Sequence, residues 1–153
     1  MINGQQGWLK SGAGVQALVG QQLADQRLSF PLFGILRLPD QYASFRVSGR
    51  DQIDDRSVYV ISAVRSDNKA ERLYFDVDNG LLRRRISYIH TAIGTIPQQT
   101  DFGDYREVNS IRLPFSITMS FVDSGSLPIV RKFTEIKLNV PVDDSKFAKP
   151  QSN

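Results

Sequence analysis

Cysteine is absent from the 153 residues, which removes disulfides, thiolate nucleophiles and cysteine metal sites together. A chain without thiols is compatible with an oxidising or a reducing compartment, so this absence says nothing about location. Histidine occurs once, as His90, and a multi-histidine metal centre therefore cannot be built. Charge of one sign is also scarce. Nineteen basic residues against sixteen acidic ones leave a formal net charge of +3. Nucleic-acid binding needs basic residues gathered on one face, and so small an excess does not supply that footprint. No apolar run reaches the ~18 residues of a membrane-spanning helix. The opening MINGQQGWLK lacks the basic-then-apolar order of a secretory signal.

Short motifs that could carry chemistry are weak. His90 could in arithmetic join a Ser–His–Asp triad, but no G-x-S-x-G elbow occurs and a position late in a strand is ordinary. The SDN of Ser66–Asn68 has neither S-x-x-K nor K-T-G beside it. DVDNG begins like a calcium loop, yet its glycine comes one place early and position twelve is Ser87 rather than glutamate. A hairpin turn explains it. The carboxylate pairs Asp54–Asp55 and Asp143–Asp144 sit among turn residues, where solvation or helix capping accounts for them. Gly12 to Gly14 lacks the spacing of a phosphate loop. These patterns point away from an enzyme and imply neither cofactor nor metal.

What is present is mostly strand. Hydrophobic residues make up 41% and charged residues 23%, ordinary values for a globular protein, and the length suits one domain. One segment fits a helix, Gly14 to Arg27, with Val15, Leu18, Val19 and Leu23 as its apolar stripe. Pro31 and Pro39 bracket an irregular apolar piece after it. From Tyr42 onward, ASFRVSG, RSVYVISAVR, AERLYFDV, LLRRRISYIHTAI, TDFGDYREV, IRLPFSITMSFV and IVRKFTEIKLNV are separated by the turn clusters DQIDD, SDNK, DVDNG, IGTIP, VNS and DSGS. The clearest signal lies in Ile111, Leu113, Phe115, Ile117, Met119 and Phe121, which alternate with polar residues and Pro114. Regular strand–turn spacing predicts an antiparallel meander.

Three consecutive arginines, Arg83 to Arg85, interrupt the fourth of these strands. Strict alternation puts Arg84 on one face and Arg83 with Arg85 on the other. Asp76, Asp101, Asp104 and Glu107 lie on plausible neighbouring strands, so cross-strand ion pairing is the expectation.

About seven or eight strands spaced ~4.8 Å apart make a sheet ~35 Å wide, which a single helix ~10 Å across cannot cover if the sheet is flat. The expected fold is therefore mainly β (α+β): a curved antiparallel meander packed around one helix. Such a hollow is a natural ligand site. Among fifteen aromatic residues and their aliphatic neighbours, its expected lining is Trp8, Leu18, Phe33, Phe45, Phe75, Tyr88, Phe115 and Phe121.

The segments NGQQGW, LYFDVDNGLLRR, DFGDYREVNSIRLPF and EIKLNVPVDDSKFAKP, in this order and spacing, resemble the LolA-like superfamily of outer-membrane lipoprotein-sorting proteins. The likeness runs from Asn3 to Pro150. It implies a half-barrel around helices whose hollow receives acyl chains or a partner. The family's aspartate–glycine hairpin falls on Asp76 to Gly80, and the indole of its early strand on Trp8. The family has a helix and further strands before this point, so residues 1–153 are expected to be a single LolA-like domain lacking its N-terminal part. The carrier arginine of the family has no assignable counterpart. The resemblance further implies a periplasmic or envelope location and an acyl, lipid or lipoprotein ligand. Two readings stand at this point. One is a non-enzymatic binding domain for an apolar ligand. The other is a structural or interaction module that docks a partner protein or neighbouring domain through a sheet edge or face.

Overall fold

In the computed structural model of the chain, the described residues are all except 1, 4–5, 13, 21, 24–37, 92–93, 123–124 and 151–153. They fall into two compact units. One comprises Met1–Leu36 with Asn139–Asn153, the other Arg37–Leu138.

The first unit holds a small antiparallel sheet of β1 (Ile2–Asn3), β2 (Gln6–Ser11) and β3 (Gly14–Leu18). Ser11 pairs with Gly14 and Trp8 with Ala17, so β2 and β3 are antiparallel neighbours joined by a short connection. Gly7 explains the glycine of NGQQGW. A Cβ there would stand 2.6 Å from the Leu23 side chain and 3.2 Å from that of Leu18. The unit also contains a short 3-10 helix, Asp144–Phe147, whose N-cap Asp143 accepts a hydrogen bond from the Ser145 amide at 2.9 Å. Capping is thus the role of Asp143.

The expected helix over Gly14 to Arg27 is corrected here. Gly14–Leu18 is strand, Gly20, Gln22 and Leu23 are helical, and residues 24–27 lie outside the described set. The stripe of Val15, Leu18 and Val19 was read at helical spacing. Pairing with β2 overrode it, because a β-branched residue next to glycine has little helix preference of its own. A helix inside the curve of the large sheet is not confirmed by the described residues.

The second unit is a seven-stranded antiparallel meander. Its strands are β4 (Tyr42–Ile53), β5 (Arg56–Arg65), β6 (Ala70–Asp76), β7 (Leu82–Thr91), β8 (Gly94–Val108), β9 (Ile111–Phe121) and β10 (Ile129–Lys132). Their order in the sheet is β10-β9-β8-β7-β6-β5-β4, so the sheet is open, with β4 and β10 at its edges. The turns follow from local chemistry. Asn109 and Ser110 both have positive φ, 49° and 63°, between the paired Val108 and Ile111. That is the type I′ geometry matching the twist of a two-residue hairpin. In DVDNG, the Asp76 carboxylate accepts from the amides of Asp78 at 3.0 Å and Asn79 at 3.3 Å, while Gly80 takes φ 70°. Asp76 is almost fully buried and faces Arg56 at 3.5 Å. The aspartate of this motif organises its turn.

Two boundaries differ from the sequence reading. Gly94 to Pro97 belongs to β8 rather than to a turn, and of IVRKFTEIKLNV only Ile129–Lys132 is strand. Pro114 survives inside β9 because β10 pairs with Ser116 to Met119 and stops short of it. Proline has no N–H to offer a further ladder at that point.

Candidate functional site

The register sorts the side chains of the large sheet into two faces. One carries Phe45 and Val47 (β4), Ala63 and Ile61 (β5), Leu73 and Phe75 (β6), Phe102 (β8), and Leu113, Phe115, Ile117, Met119 and Phe121 (β9). This is the apolar face. Leu73 and Leu113 are fully buried and Ile117 is 2% exposed, whereas Phe45 at 47% and Val47 at 64% stand open on the edge strand. The opposite face presents Arg46, Ser62, Arg72, Arg84, Tyr88, Gln99, Asp101, Ser116 and Thr118, with a small core of Ile53, Val58 and Tyr74 backed by Val60 and Ile86.

Of the eight lining residues expected from the sequence, Phe45, Phe75, Phe115 and Phe121 share the apolar face. Tyr88 lies on the other, beside a groove at the Asp67–Lys69 hairpin. Trp8, which is buried, and Leu18 belong to the first unit. Phe33 is outside the described residues. The structure therefore brings four of the eight onto one surface.

Within that surface sits a buried ionic knot. The carboxylate of Glu71, 2% exposed, receives Arg85 through Nε at 2.8 Å and a terminal nitrogen at 2.6 Å. It also accepts the Tyr42 hydroxyl and faces Arg65 at 3.5 Å. Arg65 in turn forks onto Asp67 with two bonds of 3.1 Å. Burial pushes the Tyr42 hydroxyl well above the ordinary tyrosine value, and the adjacent Glu71 adds to that against the opposing pull of Arg85. Burial alone would weaken the hold of Arg85 on its proton, but the hydrogen bonds and charge of Glu71 outweigh it and raise its value further. At Asp67 desolvation is the largest single influence, but Arg65 and Lys69 together outweigh it and hold its carboxyl below the usual 3.8.

This arrangement is poor catalytic equipment. Glu71 has its oxygens occupied by three donors, Tyr42 keeps its proton, and Arg85 cannot release one near neutral pH. What the knot does is fix four polar side chains across β4, β5, β6 and β7 while satisfying the charges that the apolar surface would otherwise strand. Among the described residues there is also no group of three or more potential metal ligands.

The sequence reading missed Glu71 and Tyr42 as partners of the arginines. The expected pairing of the arginines holds for Arg84, which grips Asp101 at 2.5 and 3.2 Å. Arg85 instead takes Glu71, while Asp76 pairs with Arg56 and Asp104 with Arg106. The expected placement of Arg83 with Arg85 is corrected as well. A register shift between Tyr74 and Phe75 sets Tyr74 opposite Arg84 and Phe75 opposite Leu82, so Arg83 is the extra residue of a bulge. Arg83 and Arg84 then line the same groove. The only sequence signal for this was that three like charges in a row are awkward in a regular strand.

Comparison with known proteins gives a fold. No family model and no curated protein matches the chain. Solved structures do. A LolA superfamily protein from Nitrosomonas europaea aligns over 97% of this chain and 68% of its own, with TM-score 0.57 and 16% identity. A DUF1329 family protein from Desulfovibrio piger aligns over 92% of this chain and 62% of its own, with TM-score 0.61 and 14% identity. A domain assigned to an outer membrane lipoprotein-sorting protein from Vibrio parahaemolyticus aligns over 97% and 66%, with TM-score 0.61 and 14% identity. The chain has their LolA-like fold and spans about two thirds of their length.

Proposed function

We propose that residues 1–153 form one LolA-like domain that binds an acyl or other apolar ligand in the cell envelope without chemical catalysis. The observation that carries this reading is the apolar face: Phe45, Phe75, Phe115 and Phe121 gathered on one side of an open sheet. The fold shared with lipoprotein-sorting proteins supports an acyl ligand and a periplasmic setting. Affinity would come from removing apolar surface from water, at about 25 cal/mol per Å². The ionic knot contributes rigidity, so that these rings sit on a framework that does not collapse when a ligand leaves. Titration of the protein with a fluorescent long-chain fatty-acyl probe, followed by competition with unlabelled lipid, tests this. Saturable and competable binding is expected. A folded protein that binds no probe overturns it.

A specific feature favours a second reading, docking of a partner protein. All four residues of the edge strand β10 are exposed, including Ile129 and Val130, and an open edge offers unpaired backbone groups to another strand. Competition would separate the two, since a strand-adding partner leaves the acyl probe in place.

A further inference from the structure

The three arginines of β7 do not behave alike. Arg84 is held by Asp101 and Arg85 by Glu71. Arg83 is half-buried on the bulge and, among the described residues, forms no ion pair, although Asp54 and Asp101 line the groove that it enters. Its charge reaches Tyr105, whose hydroxyl already donates to the Leu82 carbonyl at 2.6 Å. A guanidinium partly withdrawn from water without a direct ion-pair partner is costly, and a bulge is a common device for re-aiming a side chain next to a site. Both features converge on one groove of about 220 Å³, lined by Arg83, Arg84, Asp101, Gly103, Ser116 and Thr118, with Ile53, Asp54 and Phe102 completing it.

The groove has donors to spare. Asp101 already accepts two bonds from Arg84 and one from the Gln99 amide at 2.8 Å, so its charge is largely engaged by Arg84 rather than by Arg83. The hydroxyls of Ser116 and Thr118 stand two residues apart on β9, on the same face. Gly103 leaves space beside them, since a Cβ there would meet nothing within 4 Å. The volume is below the roughly 300–1,000 Å³ of pockets that enclose a drug-sized molecule. It suits a single tetrahedral anionic group rather than a whole lipid or nucleotide.

We propose that this groove binds a phosphate group, with the planar fork of Arg83 taking two oxygens and the hydroxyls of Ser116 and Thr118 donating to the others. Arg is the residue whose geometry matches phosphate in this bidentate way. Asp54, exposed at the turn between β4 and β5, opposes the anion and sets the affinity lower than Arg83 alone would give. Arg84, Asp101, Ser116 and Thr118 of the groove lie on the face opposite to Phe115 and Ile117, and of the apolar face only Phe102 reaches it, so the site is tested separately from the acyl-binding reading. Phosphate esters reach a protein either free in solution or as phospholipid headgroups, and the chemistry is shared.

The test uses the full chain, titrated by calorimetry with inorganic phosphate and, in parallel, by co-sedimentation with vesicles of phosphatidylglycerol against vesicles of phosphatidylcholine. Saturable binding of inorganic phosphate alone identifies a soluble ester as the source. Preferential binding of the anionic vesicles alone identifies a headgroup, and binding of both establishes the shared chemistry. Arg83→Gln should weaken the observed binding roughly tenfold or more, as loss of a charged hydrogen-bond donor implies. Arg83→Lys, which keeps the stem and the charge, should retain part of it, and Asp54→Asn should strengthen it. Arg131→Gln, on the exposed edge strand β10, should change nothing. Absence of binding to both phosphate and vesicles would overturn the proposal. So would equal losses for Arg83→Gln and Arg131→Gln, which would mean only that net charge had fallen.

Discussion

Each face of the large sheet carries a forked arginine–carboxylate pair, and the two pairs are chemically the same. On the apolar face Arg85 meets Glu71, which is 2% exposed. On the polar face Arg84 meets Asp101, with the partners 27% and 34% exposed. The first pair is surrounded by Tyr42 and Arg65 and has no recourse to water if one member is lost. The second can be rehydrated at once. Geometry alone would rank the two pairs as equals, but burial does not. Removing one partner of a buried pair leaves a stranded charge, while an exposed pair has water as its alternative partner.

The comparison can be broken by mutation, starting with the largest effect. Glu71→Gln leaves the buried Arg85 without its carboxylate and Arg65 with Asp67 alone and should destabilise the fold by about 3–5 kcal/mol in urea unfolding. A loss under about 1 kcal/mol would mean that water already reaches the knot.

Tyr42→Phe removes a donor to that same buried carboxylate and should cost about 1.5–3 kcal/mol. It should also change the alkaline limb. The folded Tyr42 value lies above its ordinary 10.0, so its contribution is complete below pH 10 and is lost as pH rises through the folded value. Stability of the wild type should therefore fall as the pH climbs past 10, and Tyr42→Phe should fall less steeply. Tyr105, raised mainly by burial, supplies the part that remains.

Ligand binding sharpens the contrast between faces. Phe75→Ala should weaken the fatty-acyl probe about tenfold, the scale of one buried aromatic side chain. Tyr88→Ala, on the other face, should leave the probe unaffected. Equal losses would show that the ligand does not sit on the apolar face.

The smallest effect belongs to Arg84→Ala, worth about 0.2–1 kcal/mol. Added salt should shrink it further, since that pair lies within reach of solvent ions.

Much of the sheet was legible before any coordinates. Ile111 to Phe121 alternates without interruption, and β9 covers that stretch. DVDNG and VNS are turns because a short side chain there can cap its own backbone or tolerate positive φ. The segment after Gly14 was not legible, since five residues cannot distinguish a helical stripe from a strand when pairing supplies the deciding hydrogen bonds. The site was half legible. Phe115 and Phe121 followed from alternation within their own strand, whereas the common face of Phe45 and Phe75 and the opposite face of Tyr88 required the register across several ladders, which no local pattern carries.

The sequence by itself determined most of the meander, most of its turns and the absence of thiol or multi-histidine chemistry, because these depend on residue type and on spacing within a few positions. Only the tertiary structure decided what each arginine does. A single bulge opposite Tyr74 and Phe75 turned Arg83 into the groove beside Arg84, and Glu71, fourteen residues before Arg85, became its partner through strand pairing. Alternation names the face of a side chain only while the ladder stays regular. One extra residue shifts that assignment, and the shift is set by contacts between strands.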